Sequence, residues 1–132
     1  MSTLNVDALV GNTSANAITV RGEGSATTSL QQGLAKAWVN IDGQDGVSIR
    51  DGFNAGSLTD HNDGLYTTSY SNAFNNINFS FTYCGSESKA ETTYQMGSSA
   101  QVTGSHQIQL KNAAGTVTSR IHVCGTFHGD LA

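Results

Sequence analysis

The sequence contains no proline and only two cysteines among its 132 residues, and charged side chains make up 12% of it. Without proline, no segment can serve as a polyproline linker or ligand. Two cysteines are too few for the disulfide framework of a small secreted domain. The charged share is about half that of an ordinary soluble domain, so the polar surface has to come from Ser, Thr, Asn, Gln and Gly.

Positive charge is scarce and scattered along the chain. Six Lys and Arg residues stand against ten Asp and Glu residues, which gives a net charge of -4, and no two basic residues are close in sequence. Proteins that hold nucleic acids by their phosphates need clustered Lys and Arg. The composition therefore argues against a DNA or RNA partner.

Long apolar runs are missing as well. Met1 is followed by a polar stretch that lacks the basic and apolar regions of a secretory signal, and no apolar run has the length of a membrane span. We expect the protein to be made in the cytoplasm of its host without a signal peptide, with its cysteines as thiols and with no membrane insertion.

The residues that are abundant favour strands and turns. Thr suits a pleated strand, and Gly, Asn and Ser supply turn geometry. Between the turns, short segments alternate apolar and polar residues; in 106–110, for example, Ile108 and Leu110 are predicted to point inward. The predicted strands cover 36–41, 47–53, 65–70, 77–84, 106–110 and 117–127, with turns at 42–46, 54–56, 60–64 and 112–115 and an irregular strand near 92–96. This pattern predicts an all-β fold, an antiparallel, jelly-roll-like β-sandwich over residues 33–132.

The sequence pattern of residues 1–32 predicts a separate N-terminal arm and linker. Apolar residues alternate over 4–10, and a second short strand is predicted over 17–21, so the two would form a β-hairpin. A flexible link over 21–28 and one helical turn, capped by Ser29 and ended by Gly33, would follow. A lone hairpin buries too little apolar surface to be stable, so we infer that a sister chain or a shell completes it. The candidate anchoring residues are Leu4, Val6, Ala8, Val10, Ile18 and Val20.

Cys84 and Cys124 lie at polar positions of two predicted strands, and His122 and His128 flank Cys124 on its face. If those strands are neighbours, the two cysteines meet. Three interpretations stay open: a disulfide, a Cys/His metal site, and two plain packed thiols. The close C-x-x-C spacing of zinc sites is absent, so no metal or other cofactor is predicted.

No catalytic motif is present, neither a nucleophile elbow, nor a phosphate-binding loop, nor a zinc-protease signature, and a non-enzymatic protein is predicted. The acidic segment 60–64 fails the EF-hand pattern, because Gly64 and Ser71 stand where ligands are needed, and a solvated turn is predicted instead. Carboxylate pairs of glycosidases depend on three-dimensional spacing, which keeps a polysaccharide-degrading enzyme as the third alternative.

The aromatic residues divide into predicted core and predicted contact positions. Those borne by predicted strands are expected in the core. They are Trp38, Phe53, Phe79 and Phe81. Tyr70, Phe74 and Tyr94 lie in looser polar sequence and are candidates for contact with a surface glycan. The accompanying polar candidates are Asp60, His61, Asn62 and Asp63.

Three segments resemble a β-domain of virion proteins from tailed bacteriophages, notably those of marine and cyanobacterial hosts, often near the ends of tail fibres. They are residues 33–40 (GLAKAWVN), 47–54 (VSIRDGFN) and 64–66 (GLY). Residues 4–7 (LNVD) and 17–20 (AITV) resemble the segment that precedes this domain.

The resemblance covers about residues 3–83 and implies an outward-facing β-sandwich, commonly in homotrimers. The tail-attachment domain and long shaft of a full fibre are absent, which favours a head-decoration or knob protein, or a small fibre subunit. The expected function is therefore structural, on the virion surface, with partners among other virion proteins. The alternative is a tail-fibre tip module that binds host surface glycan.

Overall fold

A computed structural model describes residues 3–13, 17–21, 25–86, 95–112 and 114–132 of the chain. The chain divides into two compact units, residues 1–34 and residues 35–132. The first unit is small and polar, and the second contains the hydrophobic core.

The N-terminal unit contains a two-stranded hairpin and one helical turn. Strand β1 (Thr19–Arg21) pairs antiparallel with β2 (Thr27–Ser29), and α1 (Leu30–Gly33) follows directly. The backbone N–H of Leu30 donates to the carbonyl of Ile18 at 2.8 Å, which ties the start of the helical turn to the strand. The predicted single helical turn is confirmed, but the hairpin predicted between residues 4–10 and 17–21 is not the one that forms.

The strands of that hairpin are not the predicted ones. Residues 3–13 form no strand and are all exposed, so the strand predicted over 4–10 is wrong. The partner of β1 is β2, which lies partly in the segment predicted as a flexible link. A segment with a period of two is stabilised as a strand when one of its faces is covered, whereas residues 3–13 are exposed throughout.

Among its described residues, the second unit contains the strands β3 (Ala37–Asp42), β4 (Ser48–Phe53), β5 (Ala55–Asp60), β6 (Leu65–Tyr70), β7 (Ser80–Ser86), β8 (Gln95–Val102), β9 (Ser105–Lys111) and β10 (His122–His128). They form an antiparallel β-sandwich of two four-stranded sheets, one ordered β4-β3-β10-β7 and the other β5-β6-β9-β8. This confirms the predicted all-β class and the antiparallel sandwich.

The core lies between the central strands of the two sheets. Burial alternates along these strands, as a period of two requires for a sheet with one covered face. The rings of Tyr70, Phe74, Phe79 and Phe127 meet there, with centroids 4.3 to 6.2 Å apart. Each fully buried large side chain contributes roughly 1.5–3 kcal/mol. The buried apolar residues are Ala37, Val39, Ile41, Tyr66, Tyr70, Phe74, Phe79, Ile108, Leu110, Val123 and Phe127, so the inward prediction for Ile108 and Leu110 is confirmed.

A single residue carries the chain from one sheet to the other where a turn was predicted over 54–56. Asn54 has a positive φ of 56°, and β5 starts at the next residue. The Asn54 side-chain amide donates to the carbonyls of Lys36 at 3.1 Å and Asn72 at 3.0 Å. Asn tolerates the left-handed conformation and supplies these bonds, which is why the corner needs so few residues.

Two predicted strands are shorter than expected. β7 begins at Ser80, and Ile77 before it is exposed. β10 begins at His122, and the earlier part of the strand predicted over 117–127 forms only a single bridge, between Val117 and Lys111. The backbone before β10 instead bonds to other strands, since the Thr118 N–H donates to the Leu110 carbonyl at 3.1 Å and the Ile121 carbonyl accepts from Arg50 Nη1 at 2.6 Å. The strand predicted near 92–96 falls largely outside the described residues, and β8 occupies 95–102.

Candidate functional site

The sheet β4-β3-β10-β7 has a polar side that points away from the core, which we call the outer face. The buried residues of β3 and β10 alternate with outward ones, so the outward side chains line up in rows across the sheet. One row contains Phe53, Trp38, Thr126 and Thr82, and the next contains Asp51, Asn40, Cys124 and Cys84.

The two cysteines meet on this face. β7 and β10 are neighbours, and Cys84 is paired in register with Cys124. Cys84 is exposed, Cys124 is half-buried, and both are free thiols. Burial raises the pKa of the Cys124 thiol, and the charge of Cys84 and a hydrogen bond with it act in the same direction, while the Arg50 cation opposes them.

Arg50 lies at the end of the outer face next to the cysteines and bonds to several segments there. The register between β3 and β4 shifts beside it, forming a bulge that redirects its side chain. Its Nη1 donates to the carbonyls of Ile41 at 3.0 Å and Ile121 at 2.6 Å and lies 3.1 Å from His122 Nδ1. Its Nη2 forms an ion pair with Asp42 Oδ2 at 2.6 Å. Arg50 thus ties β3, β4 and the entry to β10 together.

Asp42 also holds the turn that follows β3. Its Oδ1 accepts the backbone N–H groups of Gln44 at 3.3 Å and Asp45 at 3.4 Å. The bond from Gln44 is the main cause that lowers the pKa of Asp42, with Arg50 adding to it. Sequence reasoning missed this cluster; the available signal was a lone Arg within a short strand that is flanked by an Asp-rich turn.

Trp38 and Phe53 are exposed, not buried as predicted. They face each other in register on the outer face, with 36% and 53% of their surfaces accessible. The parity of β3 explains the error: Ala37, Val39 and Ile41 occupy its inward positions, so Trp38 must point outward. The core prediction is confirmed for Phe79, which is 5% exposed, and Phe81 packs partly buried against the core.

The candidate glycan contacts predicted from loose sequence are only partly at the surface. Tyr70 and Phe74 are core residues, at 9% and 1% exposure, which corrects the expectation that they contact a ligand. Their rings pack edge to face, with centroids 4.9 Å apart. Tyr94 lies outside the described residues.

The acidic segment after β5 is a tight exposed turn, as predicted. Asn62 and Asp63 have positive φ values of 76° and 42°. The Asn62 N–H donates to Asp60 Oδ1 at 2.9 Å, and His61 Nε2 lies 2.9 Å from Thr67 Oγ1. These local bonds set the turn, and they leave the segment well apart in the fold from Tyr70, at the far end of β6.

A polar group lies inside the core. His106 is fully buried, and neither of its ring nitrogens has a hydrogen-bond partner among the described residues. The rings of Phe81, Tyr83 and Phe127 lie around it at 4.1, 5.5 and 5.6 Å. Burial lowers the pKa of His106 to about 4, so the ring is neutral at neutral pH. Burial also raises the pKa of Tyr83.

The candidate anchoring residues are largely uncovered in the N-terminal unit. Leu4, Val6 and Val10 expose 77%, 53% and 83% of their surfaces, and Val20 exposes 51%. Ala8 is exposed and Ile18 is half-buried. Leu9, which lies between the predicted positions, is also 55% exposed and belongs to the same apolar segment.

Across the described parts of the chain, no three His, Cys, Asp or Glu side chains converge where they would hold a metal ion. No helix within those parts has the length and apolar character needed to cross a membrane. A comparison with known proteins finds no protein family, no curated protein and no solved structure that matches this chain. Any assignment of function therefore depends on the geometry and on the sequence patterns.

Proposed function

We propose that this chain is a non-enzymatic structural protein on the outside of a tailed bacteriophage particle, as a head decoration or knob or as a small fibre subunit. The sandwich is the displayed part. The N-terminal unit attaches the protein to other virion proteins and joins sister chains in a homotrimer. The resemblance of residues 33–40 and 47–54 to phage virion domains supports the viral setting.

The observation that carries this proposal is the exposed apolar segment 4–10. Leu4, Val6, Leu9 and Val10 each expose more than half of their surfaces within seven consecutive residues. Burying a Leu or Val side chain is worth roughly 1.5 kcal/mol or more. A partner surface that covers these four side chains therefore gains several kcal/mol, which suits an attachment segment.

The composition of the sandwich fits display. Its surface is rich in Ser, Thr and Asn and poor in charge, and the sandwich has a core of its own. Such a domain projects into solvent without attracting nucleic acid released from lysed cells, because clustered positive charge is absent.

Particles assembled with the double variant Leu9→Ser/Val10→Ser test the attachment. We expect the variant to fold but to be lost from purified particles, as measured by quantitative mass spectrometry and cryo-electron microscopy. Ile77→Ser is the matched control, because Ile77 is 57% exposed but belongs to the sandwich. An undiminished copy number of the double variant contradicts the anchoring role, and absence of the wild-type chain from the particle contradicts the proposal as a whole.

The homotrimer has its own test in light scattering. Each chain has a mass of 13.8 kDa, so three chains give 3 × 13.8 = 41.4 kDa. We expect the wild-type protein to reach this mass and Leu9→Ser/Val10→Ser to fall to one chain. A wild-type monomer at high concentration contradicts the trimer.

Recognition of a host surface glycan is the second candidate function, favoured by the exposed pair of Trp38 and Phe53. The two exposed aromatic side chains are paired in register on the outer face, and the exposed Asp51 and the half-buried Asn40 follow in the next row. Aromatic faces pack on the apolar side of a sugar ring, and neighbouring carboxylate and amide groups bond its hydroxyls.

A glycan array probed with the wild-type protein and with Trp38→Ala tests this function. We expect the substitution to remove binding, and Ile77→Ala, a change at an exposed apolar residue outside the pair, to retain it. Equal binding by Trp38→Ala, or silence of the wild-type protein together with normal host adsorption by particles that lack it, rules this candidate out.

A further inference from the structure

Cys84 and Cys124 are the only cysteines of the chain, and the fold places them opposite each other. Directly opposed residues of antiparallel strands have Cα atoms about 4.5–5.5 Å apart. A disulfide requires a Cα separation of about 4.4–6.8 Å. The Cα separation expected for this opposed pair therefore lies within the range of a cross-strand bridge.

The two thiols differ in exposure, which determines which of them reacts first with an external reagent. Cys84 is exposed on β7, which is the edge strand of its sheet, whereas Cys124 is half-buried on the adjacent β10. Burial and the neighbouring Cys84 raise the pKa of Cys124, so less of it is thiolate at neutral pH. Because the thiolate is the attacking form, an external reagent meets Cys84 first.

We propose that the Cys84–Cys124 pair is a modification site that reacts with a small-molecule disulfide and closes into a cross-strand disulfide on the outer face. The reacting partner is a small-molecule disulfide, and Cys84 reacts before Cys124.

The reaction balances in two exchanges. The Cys84 thiolate attacks one sulfur of the small-molecule disulfide, so a mixed disulfide forms and one small thiolate leaves. The Cys124 thiol then loses its proton and its sulfur attacks the Cys84 sulfur, so the cross-strand bond forms and the second small thiolate leaves. The protein loses two protons and two electrons, and the small-molecule disulfide is reduced to two thiols.

The bond would fasten an edge strand to a central strand. Crosslinking positions 84 and 124 closes a loop of about 40 residues, which removes conformational freedom from the unfolded chain. By this entropic effect, we expect the oxidised protein to unfold roughly 10 °C or more above the reduced protein. A reducing compartment would keep the pair open.

The experiment treats the purified full-length protein with reduced or oxidised glutathione, then measures free thiols, intact mass, a non-reducing peptide map and the unfolding midpoint. We expect two free thiols in the reduced form. In the oxidised form we expect none, with a mass lower by two hydrogens and a linked peptide pair containing Cys84 and Cys124. Cys124→Ser is the matched control, which should stop at the mixed disulfide on Cys84 without a rise of the midpoint.

Four outcomes of the glutathione experiment overturn the proposal. They are two persistent thiols under oxidised glutathione, a stable mixed disulfide on wild-type Cys84, disulfide-linked dimers on a non-reducing gel, and a linked form that is no more stable than the reduced one. A zinc titration of the reduced protein distinguishes a metal site from a disulfide site. If the protein binds one zinc ion tightly and zinc blocks the oxidation, the disulfide proposal is contradicted. Circular dichroism of each variant verifies that the sandwich is folded.

Discussion

Replacing His106 by Leu removes a titratable group from the middle of the core. His106 is fully buried, its two ring nitrogens lack hydrogen-bond partners among the described residues, and aromatic rings surround it. A buried imidazole in such surroundings resists protonation, whereas the same ring in the unfolded chain protonates normally. The pH dependence of the unfolding free energy therefore reports on this side chain.

The sign and size of the change in unfolding free energy with pH follow from the pKa values of His106 in the folded and unfolded states. Burial lowers the folded pKa of His106 to about 4, below its ordinary value of 6.5. Between these values the unfolded state binds the proton and the folded state does not, so stability is complete above pH 6.5 and falls as the pH drops toward 4. The loss amounts to about 2 kcal/mol between pH 7 and pH 5, and to about 3 kcal/mol below pH 4.

Urea unfolding of the wild-type protein and of His106→Leu at pH 7, 6 and 5 measures this loss. Carboxylates titrate in the same range, so the difference between the two proteins isolates His106. We expect His106→Leu to be at least as stable as the wild-type protein at pH 7 and to gain about 2 kcal/mol relative to it by pH 5. Thr68→Val is the control: Thr68 is buried and in register with His106, but carries no titratable group. Parallel pH profiles of His106→Leu and the wild-type protein refute the reasoning.

Two further predictions concern the stability of the sandwich, one at a constrained glycine and one at the Arg50–Asp42 ion pair. Gly64 has a φ of +81°, and an added Cβ lies 2.1 Å from the carbonyl oxygen of Thr118, so Gly64→Ala should cost about 2 kcal/mol or more. Gly104→Ala, where a Cβ meets nothing within 4 Å, is the matched control, and equal unfolding midpoints for the two variants contradict this account. Arg50→Met should lower the midpoint by less than Gly64→Ala, because the ion pair with Asp42 is partly solvated. An equal or larger loss contradicts the weak contribution expected of a partly solvated ion pair.

Local pattern was enough to predict most of the sandwich. The strand at 65–70 is correct at both ends, and those at 36–41 and 47–53 are correct to within one residue at each end. These segments alternate between residues that suit a covered face and residues that suit water, and turn residues bound them. A strand with one covered face is largely a local consequence of such a pattern, so the sequence carries it.

The strand predictions failed where the outcome depended on distant residues. Residues 4–10 have the same alternation but form no strand, because no described surface covers them. Trp38 and Phe53 were expected in the core because large aromatic residues usually lie there. Which side of a strand faces the core depends on the neighbouring sheet, and here the small and aliphatic residues of β3 face inward.

The candidate site shows the same division between local and tertiary information. The parity of Cys84 and Cys124 within their strands was readable from the sequence, and so was the turn at 60–64. Their pairing was not, since it requires β7 and β10, which are separated by two other strands in the chain, to become neighbours.

By itself, the sequence determined an all-β chain with a polar, weakly charged surface, because composition and period act locally. Only the tertiary structure decided that the two thiols face each other, that Arg50 bridges three segments, and that Trp38 and Phe53 lie side by side in solvent. Each of these depends on strand order and register, which arise when two sheets bury a shared core and the whole chain has to satisfy that burial at once.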